Sequence, residues 1–340
     1  MRKPIIYIVA TGGTIASKYL ASSGQVVAGA SVEELASTVP ELLDIAELRT
    51  IQHSNVTSDV IDTPTIVELG RLLRKLLAQN ETAGVVVTHG TATLEETAYF
   101  LDLTLNTDKP VVITGAMRNL VERDADGPRN ILYSVIAAAH PESSGRGVLV
   151  CFNGELHSAR DAIKVHANRV DAYASRDGGT VGAVSKDGVI YFSRPERRIH
   201  INVDHMKENV QLITITQGCN DLLLRSCINA RVDGIVVEGI GAGNVNLPAY
   251  HAICDALDAG IPLVLGVRIF AGTPYFAKGH DGSFRTMVER GALSAGYLSG
   301  IKARVLLMVA LAQTRDAAEL RRIFALASAP TLPAQAGFAR

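Results

Sequence analysis

Short runs of β-branched and apolar residues alternate along this chain with segments of helical periodicity. Seven such runs lie at 5–10, 85–88, 111–114, 147–152, 212–216, 234–238 and 262–267. Between two of them, segment 66–77 repeats its apolar residues every three or four positions, with Arg71, Arg74 and Lys75 on the opposite, solvated side. Because strands that alternate with helices build βαβ units, the pattern predicts an α/β protein with parallel sheets.

The alternation is interrupted at 194–210, where polar residues without core periodicity separate two blocks of strands and helices. A chain of 340 residues is long for one domain, and two domains are the natural expectation. We predict a larger N-terminal catalytic domain at 1–193, with a parallel, Rossmann-like sheet. A linker at 194–210 would join it to a smaller C-terminal α/β domain at 211–340.

Composition narrows the class of function. The formal net charge of -1 gives no general attraction to nucleic acid or anionic membranes, and 5% aromatic residues without tryptophan argue against a base-stacking platform. The first apolar run is too short for a signal peptide, and no run approaches the ~18 apolar residues of a membrane span. The four cysteines lack the spacing of a metal site. We expect a cytoplasmic protein with a small-molecule substrate and no nucleic-acid or membrane partner.

Two of the predicted strands end in turns that carry threonine. Run 5–10 is followed by Thr-Gly-Gly-Thr at 11–14, and run 85–88 by His-Gly-Thr-Ala-Thr at 89–93. Ligands of open parallel sheets bind beyond the carboxyl ends of the strands, and backbone amides in such turns stabilise an oxyanion. Thr14 and Thr91 are therefore candidate nucleophiles, although a single turn hydroxyl more often only stabilises its turn.

Neighbouring residues admit catalytic and structural interpretations. A threonine nucleophile needs a base, and Lys164 would serve if burial lowers its pKa, whereas a lysine taken alone is more often a surface residue. Thr93 and Glu96 match the capping box of a helix start. His89 is expected to hydrogen-bond the loop backbone. The glycine-rich turn at 239–244 lacks the spacing of a dinucleotide fingerprint, which disfavours an oxidoreductase.

The two threonine turns resemble the two signatures of the bacterial-type L-asparaginase/glutaminase family. The similar segments are Ala-Thr-Gly-Gly-Thr-Ile-Ala-Ser at 10–17, Thr-His-Gly-Thr-Ala-Thr-Leu-Glu-Glu-Thr and the residues after it at 88–104, and shorter matches at 109–112, 115–118, 125–128 and 302–307. The resemblance covers nearly the whole chain. It implies a two-domain α/β hydrolase that deamidates asparagine, often glutamine too, needs no metal or organic cofactor, and is usually a homotetramer built from intimate dimers.

The resemblance also implies catalytic roles. Thr14 would be the primary nucleophile and form an acyl-enzyme. Thr91 would assist by activating water or stabilising the oxyanion, and Lys164 would be the base paired with Thr91. Tyr19 is a weak counterpart of the family's lid tyrosine, at an offset spacing.

For substrate binding, the resemblance implies that Ser58 holds the substrate α-carboxylate, with Gly90 beside it, and that Asn244 approaches a partner subunit's site. Three departures concern the substrate's ammonium group. Ala92 replaces a signature aspartate that binds this ammonium and tethers the lysine. Region 273–280 offers no counterpart of the glutamate that the family often takes from the neighbouring subunit, and Asp59 stands where the family has a glutamine or asparagine-like residue.

These departures leave three hypotheses for the function. Losing one buried carboxylate partner of a charged group costs about 2–5 kcal/mol, or roughly 30-fold to several-thousand-fold in binding. We therefore favour an amide hydrolase with altered substrate: a small carboxylate-bearing amide, cyclic amide or lactone whose amine is absent, acylated or differently placed. The alternatives are a genuine L-asparaginase in which Asp59 compensates and a non-catalytic small-acid sensor on the same scaffold.

Overall fold

The computed structural model describes residues 3–20, 25–28, 33–34, 38–193, 198–276 and 279–328, with only the backbone for 16–20 and 25–28. The chain divides into two compact units, Met1–Pro195 and Glu196–Arg340. Of the predicted linker at 194–210, residues 194–197 lie outside the described residues, and 198–209 form neither helix nor strand. None of the helices in the described ranges has the length and apolar character needed to cross a bilayer.

The first unit is built mainly from strands. They are β1 (Ile5–Gly12), β2 (Ser17–Leu20), β3 (Gln25–Ala28), β4 (Glu47–Val56), β5 (Thr82–Thr88), β6 (Val111–Thr114), β7 (Val148–Phe152), β8 (Glu155–Ser158), β9 (Ala162–Lys164), β10 (Tyr173–Ser175), β11 (Gly182–Ser185) and β12 (Gly188–Tyr191). Its α-helices are α1 (Leu42–Ile45), α2 (Thr63–Leu77), α3 (Leu94–Thr104) and α4 (Gly127–Ala139), and short 3-10 turns include Thr14–Ala16 and Ser58–Val60.

Eight of these strands form one mixed sheet in the order β12-β11-β8-β7-β6-β5-β1-β4. Strands β4, β1, β5, β6 and β7 are parallel, as predicted, whereas β8, β11 and β12 extend the sheet in antiparallel fashion. Strand β1, between β5 and the edge strand β4, is buried along its whole length. The fold class is therefore α/β with a large, mostly parallel first sheet, and the antiparallel edge is an addition that periodicity did not predict.

The local sequence determines where helix α2, which packs on this sheet, begins. Asp62 caps it by accepting a hydrogen bond from the Thr65 amide (3.0 Å), and Pro64 occupies the first turn, where its missing N–H is harmless. The helix buries its apolar face, and Arg71 and Lys75 are exposed on the other, as the periodicity predicted. Arg74, predicted on the same solvated side, is half-buried and donates to the Thr104 carbonyl at 3.4 Å.

The second unit repeats the α/β plan on a smaller scale. Its strands are β13 (Val210–Thr214), β14 (Gly234–Gly239), β15 (Leu263–Val267) and β16 (Leu293–Ser294), and they form one parallel sheet in chain order. Its helices are α5 (Leu222–Asn229), α6 (Leu247–Asp258), α7 (Phe284–Glu289), α8 (Gly300–Gln313) and α9 (Ala317–Ala327). Apolar side chains of β13–β15, α6 and α7 share one core.

Candidate active site

The two threonine turns lie next to each other because their strands are neighbours. Strands β1 and β5 are parallel, with Ala10 opposite Thr88, so the turns that follow them leave the same edge of the sheet. Thr14, half-buried, opens the 3-10 turn after β1, and Thr91, buried, precedes α3. The Thr11 hydroxyl donates to the Thr88 carbonyl at 3.1 Å and joins the two strand ends.

Glycine residues allow the backbones of the two turns to pack directly against each other. A Cβ atom added to Gly13 would lie 2.3 Å from the Gly90 Cα, and one added to Gly90 would lie 2.6 Å from the Ser58 Oγ. Gly13 has φ +84°, which favours glycine in its own right. The chain segments that carry Thr14, Thr91 and Ser58 are thus stacked at van der Waals distance.

Ser58 is tied to the turn that carries Thr91. Its Oγ accepts a hydrogen bond from the Ala92 amide (3.1 Å), and its carbonyl accepts one from the Thr93 hydroxyl (2.9 Å). Thr93 does occupy the N-cap position of α3, but its side chain makes no capping bond. The capping-box prediction is wrong here because the hydroxyl is used to hold the Ser58 segment instead.

Lys164 contacts Thr91 directly. Its Nζ lies 2.8 Å from the Thr91 Oγ1 and donates a hydrogen bond to it. Lys164 ends β9, which pairs with β10 so that Lys164 lies opposite Tyr173. The buried Tyr173 hydroxyl donates to the Thr91 carbonyl at 2.7 Å. Strands β9 and β10 are therefore hydrogen-bonded to both the side chain and the backbone of Thr91.

Burial and nearby charge set the protonation of this cluster. Partial burial lowers the pKa of Lys164 below its usual range, and the carboxylate of Glu95 acts in the opposite direction. Burial likewise raises the pKa of the Tyr173 phenol, with Glu95 adding to the rise. Tyr173 is therefore a neutral hydrogen-bond donor at neutral pH, and Lys164 loses its proton more readily than an exposed lysine does.

His89 has the structural role expected of it. Its Nδ1 donates to the Gly90 carbonyl at 2.8 Å, so its Nε2 accepts from the Thr97 hydroxyl at 3.0 Å. Complete burial lowers the pKa of His89 to about 4. The neutral imidazole links the Thr91 turn to the first turn of α3.

The positions expected to bind the substrate's charged end differ in exposure. Ser58 is buried, whereas Ala92 and Asp59 are exposed. Ala92 ends in a methyl group, while Asp59, next to Ser58 on the 3-10 turn, carries a carboxylate. No group of three or more His, Cys, Asp or Glu side chains within the described ranges is arranged to hold a metal ion.

Tyr19, Asn244 and region 273–280 are the remaining predicted positions. The side chain of Tyr19 lies outside the described residues, and its backbone in β2 pairs with Val26 of β3. Asn244 belongs to the second unit, where its Oδ1 accepts from the Phe284 amide at 3.2 Å. In region 273–280, residues 277–278 are not described.

Two contributors to the cluster were not anticipated. Tyr173 is 82 positions from Thr91, and no motif marks it. Glu95 lies inside the second signature, but its sequence setting was interpreted only as a helix start; its near-complete burial (6% exposed) is a property of the fold. A charged residue one turn after a candidate nucleophile is a signal that could have identified Glu95.

Comparisons with known proteins agree along the whole chain. Residues 5–197 match the family model "Asparaginase, N-terminal", and residues 209–324 match "Glutaminase/Asparaginase C-terminal domain". The chain is 37% identical to L-asparaginase 2 of Bacillus subtilis (strain 168), over 94% of this chain and 86% of that protein. It is 35% identical to L-asparaginase 2 of Escherichia coli (strain K12), over 94% and 92%. The crystal structure of a probable cytoplasmic L-asparaginase from Campylobacter jejuni superposes with a TM-score of 0.85 at 31% identity, covering 95% of this chain and 100% of that one.

Proposed function

This chain belongs to the asparaginase family, and on that premise we propose that it hydrolyses a small carboxylate-bearing amide without the usual recognition of a free α-amino group. As a member of the family it is an amidohydrolase acting on linear amides, and its substrate is a small molecule. Threonine nucleophiles, the altered substrate and the roles of single residues are the parts that we propose.

The proposed reaction proceeds through an acyl-enzyme. The Thr14 Oγ1 attacks the amide carbon, a C–O bond forms, and the C–N bond breaks as the nitrogen leaves with a proton. Water then attacks the ester carbon, and the acid leaves as Thr14 regains its proton. In the first step Lys164, neutral at the start, accepts the Thr14 proton through the Thr91 hydroxyl, which it contacts at 2.8 Å, and passes it to the leaving nitrogen. In the second step it takes a proton from the attacking water by the same route and returns it to the Thr14 oxygen, so that it ends neutral. Backbone amides of the two turns stabilise the oxyanion.

One observation carries the substrate part of the proposal. The Lys164–Thr91 pair is intact at 2.8 Å, while the adjacent position 92 presents an exposed methyl group. The two side chains proposed to take part in the reaction, Lys164 and Thr91, are therefore in contact. Position 92, in contrast, has no carboxylate that could bind a substrate ammonium. Ser58, whose Oγ accepts from the Ala92 amide, keeps its own proton to donate to a substrate carboxylate.

A substrate panel followed by mass spectrometry tests the proposal. It would contain asparagine, glutamine, N-acetyl-asparagine, the amine-free analogue succinamic acid, a cyclic imide and a lactone. We expect the amine-free or acylated compounds to have the highest kcat/KM, and Thr14→Ala to abolish their turnover. If asparagine is turned over as efficiently as by a family member assayed in parallel, the altered-substrate proposal is wrong.

The second candidate function is that of a genuine L-asparaginase, and the exposed Asp59 beside Ser58 favours it. Relatives at 37% and 35% identity over the aligned residues carry the name L-asparaginase 2. In this case Asp59 would bind the substrate ammonium, and Asp59→Asn should abolish asparagine turnover. Unchanged turnover in Asp59→Asn would reject compensation by this residue.

Assembly and location are further proposals. We propose a homodimer or homotetramer of the family type in the cytoplasm, with Asn244 approaching the site of a partner subunit. The superposed Campylobacter jejuni protein is named a cytoplasmic L-asparaginase, while a Haemophilus influenzae relative at 36% identity is named a periplasmic one. Sedimentation velocity measures the assembly, and fractionation of the native host measures the location. A monomer at micromolar concentration would reject the proposed assembly.

A further inference from the structure

Residues 115–118 form the first part of the connection from β6 to α4, the β6–α4 segment, and lie against the turn that carries Thr91. Strands β5 and β6 are parallel neighbours, so this segment and that turn leave the sheet at the same edge. A Cβ atom added to Gly115 would lie 2.5 Å from the His89 carbonyl oxygen and 3.0 Å from the Thr91 Cγ2. The Gly115 backbone therefore packs directly on the Thr91 methyl group.

The start of α4 lies against the other threonine turn. A Cβ atom added to Gly127, the first residue of α4, would lie 3.1 Å from the Ile15 Cγ1 and 3.4 Å from the Ala116 Cβ. Ile15 directly follows Thr14 and is fully buried. The β6–α4 segment and the helix after it are thus packed against both of the turns that carry the proposed reacting hydroxyls.

Two buried side chains at the start of α4 hold the β6–α4 segment by hydrogen bonds. The Asp126 carboxylate accepts from the Met117 amide at 3.0 Å and from the Arg118 amide at 2.9 Å. The Asn130 side-chain amide donates to the Gly115 carbonyl at 2.9 Å and to the Asp126 carboxylate at 3.2 Å. Only 3% of Asp126 and none of Asn130 is exposed. Three backbone groups of the segment are therefore held by side chains that are shielded from solvent.

The bonding of Asp126 differs from that of an ordinary helix cap. Asp126 occupies the N-cap position of α4, where an aspartate normally accepts from an amide of its own helix, but its side chain makes no such bond. Asp62, in contrast, caps α2 by accepting from the Thr65 amide at 3.0 Å. A buried carboxylate is costly without hydrogen bonds, and Asp126 takes them from the β6–α4 segment. The carboxylate therefore serves the segment beside the site and not the end of its own helix.

We propose that Asp126 is a positioning residue that holds the β6–α4 segment against Thr91 and so keeps the Thr91 hydroxyl directed at Lys164. This inference rests on the proposed proton transfer through Thr91 and Lys164. The methyl and hydroxyl groups of threonine share one Cβ, so one torsion angle sets both. With the methyl group packed on Gly115, the hydroxyl stays where the Lys164 Nζ contacts it at 2.8 Å. A segment that recedes would let the Thr91 side chain rotate and break this contact.

A pair of variants separates positioning from a purely structural role. Asp126→Asn keeps one acceptor oxygen and puts an NH2 group, a donor, where the second oxygen was. Asp102→Asn is the matched control, because the Asp102 Oδ1 accepts from the Val148 amide (2.9 Å) at the start of β7, on the opposite edge of the same sheet. Both variants should lower the midpoint of urea unfolding. With the best substrate of the panel, only Asp126→Asn should lower kcat, roughly tenfold or more, while KM changes little. Equal losses of kcat in the two variants, or an unchanged kcat in Asp126→Asn, overturn the proposal.

A double-mutant cycle tests the route through the Thr91 methyl group. Thr91→Ser keeps the hydroxyl but removes the methyl group that contacts Gly115, so the β6–α4 segment no longer orients the hydroxyl. Thr91→Ser alone should lower kcat, and Asp126→Asn should lower it much less in the Thr91→Ser protein than in the wild type. Effects that simply multiply would show that Asp126 acts elsewhere, and they overturn the proposal. If Asp126→Asn does not fold, Thr91→Ser alone decides: a lower kcat supports the contact, and an unchanged kcat shows that the methyl group orients nothing.

Thr91→Ala separates this inference from the proposed function. The variant removes the hydroxyl itself, so the proposed proton transfer predicts a loss of nearly all turnover. If Thr91→Ala keeps its kcat, the proton transfer through Thr91 is wrong, and the role of Asp126 is overturned with it. If Thr91→Ala is inactive while Asp126→Asn keeps its full kcat, the proton transfer stands and only the role of Asp126 is overturned.

Discussion

At the scale of single residues, the proposed function makes Ala92 the position that limits what the rim of the site can bind. Its backbone is fixed because its amide donates to the Ser58 Oγ at 3.1 Å, while its exposed methyl group is free of packing constraints. A larger side chain can therefore be introduced there without moving the catalytic turn. Position 92 is the place where substrate recognition can change at the smallest cost to the fold.

Ala92→Asp should improve the use of substrates with a free α-amino group. A carboxylate at this position would pair with the substrate ammonium, and one such pair contributes about 2–5 kcal/mol when shielded from water. We expect kcat/KM for asparagine to rise at least about 30-fold, while that for succinamic acid falls. Steady-state kinetics on both substrates measure the change, with Ala92→Asn as the uncharged control. Equal effects of the two variants would show that charge is not the cause.

Tyr173→Phe should reduce both kcat and stability. The substitution removes the hydrogen bond to the Thr91 carbonyl but keeps the aromatic ring, whose centroid lies 4.8 Å from that of Phe152. The free energy of unfolding should fall by about 1–2 kcal/mol, and kcat by roughly tenfold because Thr91 is less well oriented. Urea unfolding and kinetics test this. A loss of stability without loss of kcat would confine Tyr173 to a structural role.

Sequence predicted some of these residues and not others for a physical reason. Thr14, Thr91 and Ser58 lie in turns with short-range signals, and Lys164 was paired with Thr91 through a resemblance that the 2.8 Å contact now supports. Tyr173 reaches Thr91 through strand pairing between β9 and β10. Such pairing is fixed by tertiary packing, and nothing in the local sequence around Tyr173 encodes it.

At the scale of elements, the turn after β1 can pack against the turn after β5 because Gly13 and Gly90 have no side chains. The φ of Gly13 is +84°, and its Cα faces the Gly90 backbone so closely that a Cβ atom would lie 2.3 Å away. Neither backbone can yield easily, because β1 and β5 are paired with each other and each has a further strand on its other side. The separation of the two threonine turns is thus fixed by the sheet.

Gly13→Ala should damage both stability and catalysis. The variant combines an unfavourable φ with a backbone clash, for which we expect a loss of about 2–4 kcal/mol in unfolding free energy and a large fall in kcat. Gly179→Ala is the matched control, since Gly179 has φ +69° but open space around its Cα. Urea unfolding and kinetics on both variants measure the difference. Equal losses of stability, with kcat retained in Gly13→Ala, would contradict the packing argument.

Among the elements, the parallel strands were predictable and the antiparallel edge was not. Continuous apolar runs identify β1, β5, β6 and β7, which are buried on both faces. Strands β11 and β12 are short and partly exposed, so they lack such runs. Their hairpin nevertheless has a local signal, because Asp187-Gly188 is a dipeptide typical of tight β-turns. The capping-box pattern gave a wrong prediction at Thr93 because the Thr93 hydroxyl donates its hydrogen bond to the Ser58 carbonyl, a partner distant in sequence.

At the scale of the whole molecule, each unit has its own apolar core, but buried histidines make stability depend on pH. His89 and His157 are fully buried in the first unit, and burial lowers the pKa of each to about 4. In the unfolded chain a histidine has a pKa near 6.5. Between these values the unfolded state binds more protons than the folded state, so stability is complete above about pH 6.5 and declines as the pH falls toward 4.

Acidification from pH 7 to pH 4.5 should therefore lower the free energy of unfolding by several kcal/mol, with roughly 3 kcal/mol at most from each histidine. His157→Gln should make the decline shallower over this range, because it removes one of the two groups. His205→Gln is the control, since His205 is exposed. Urea unfolding at both pH values measures the change. An identical decline in His157→Gln and the wild-type protein would place the acid sensitivity elsewhere.

The contact between Gly13 and Gly90 also bears on how this chain can diverge from its relatives. A mutation that enlarges either glycine would push the two threonine turns apart, so we expect both positions to stay glycine when the sequence changes. Heritable variation is left to the rim, at residues such as Ala92 and Asp59, whose side chains are exposed. New substrates in this lineage should therefore arise from exchanges of charge around an unchanged backbone, and ancestral chains should differ first at these rim positions.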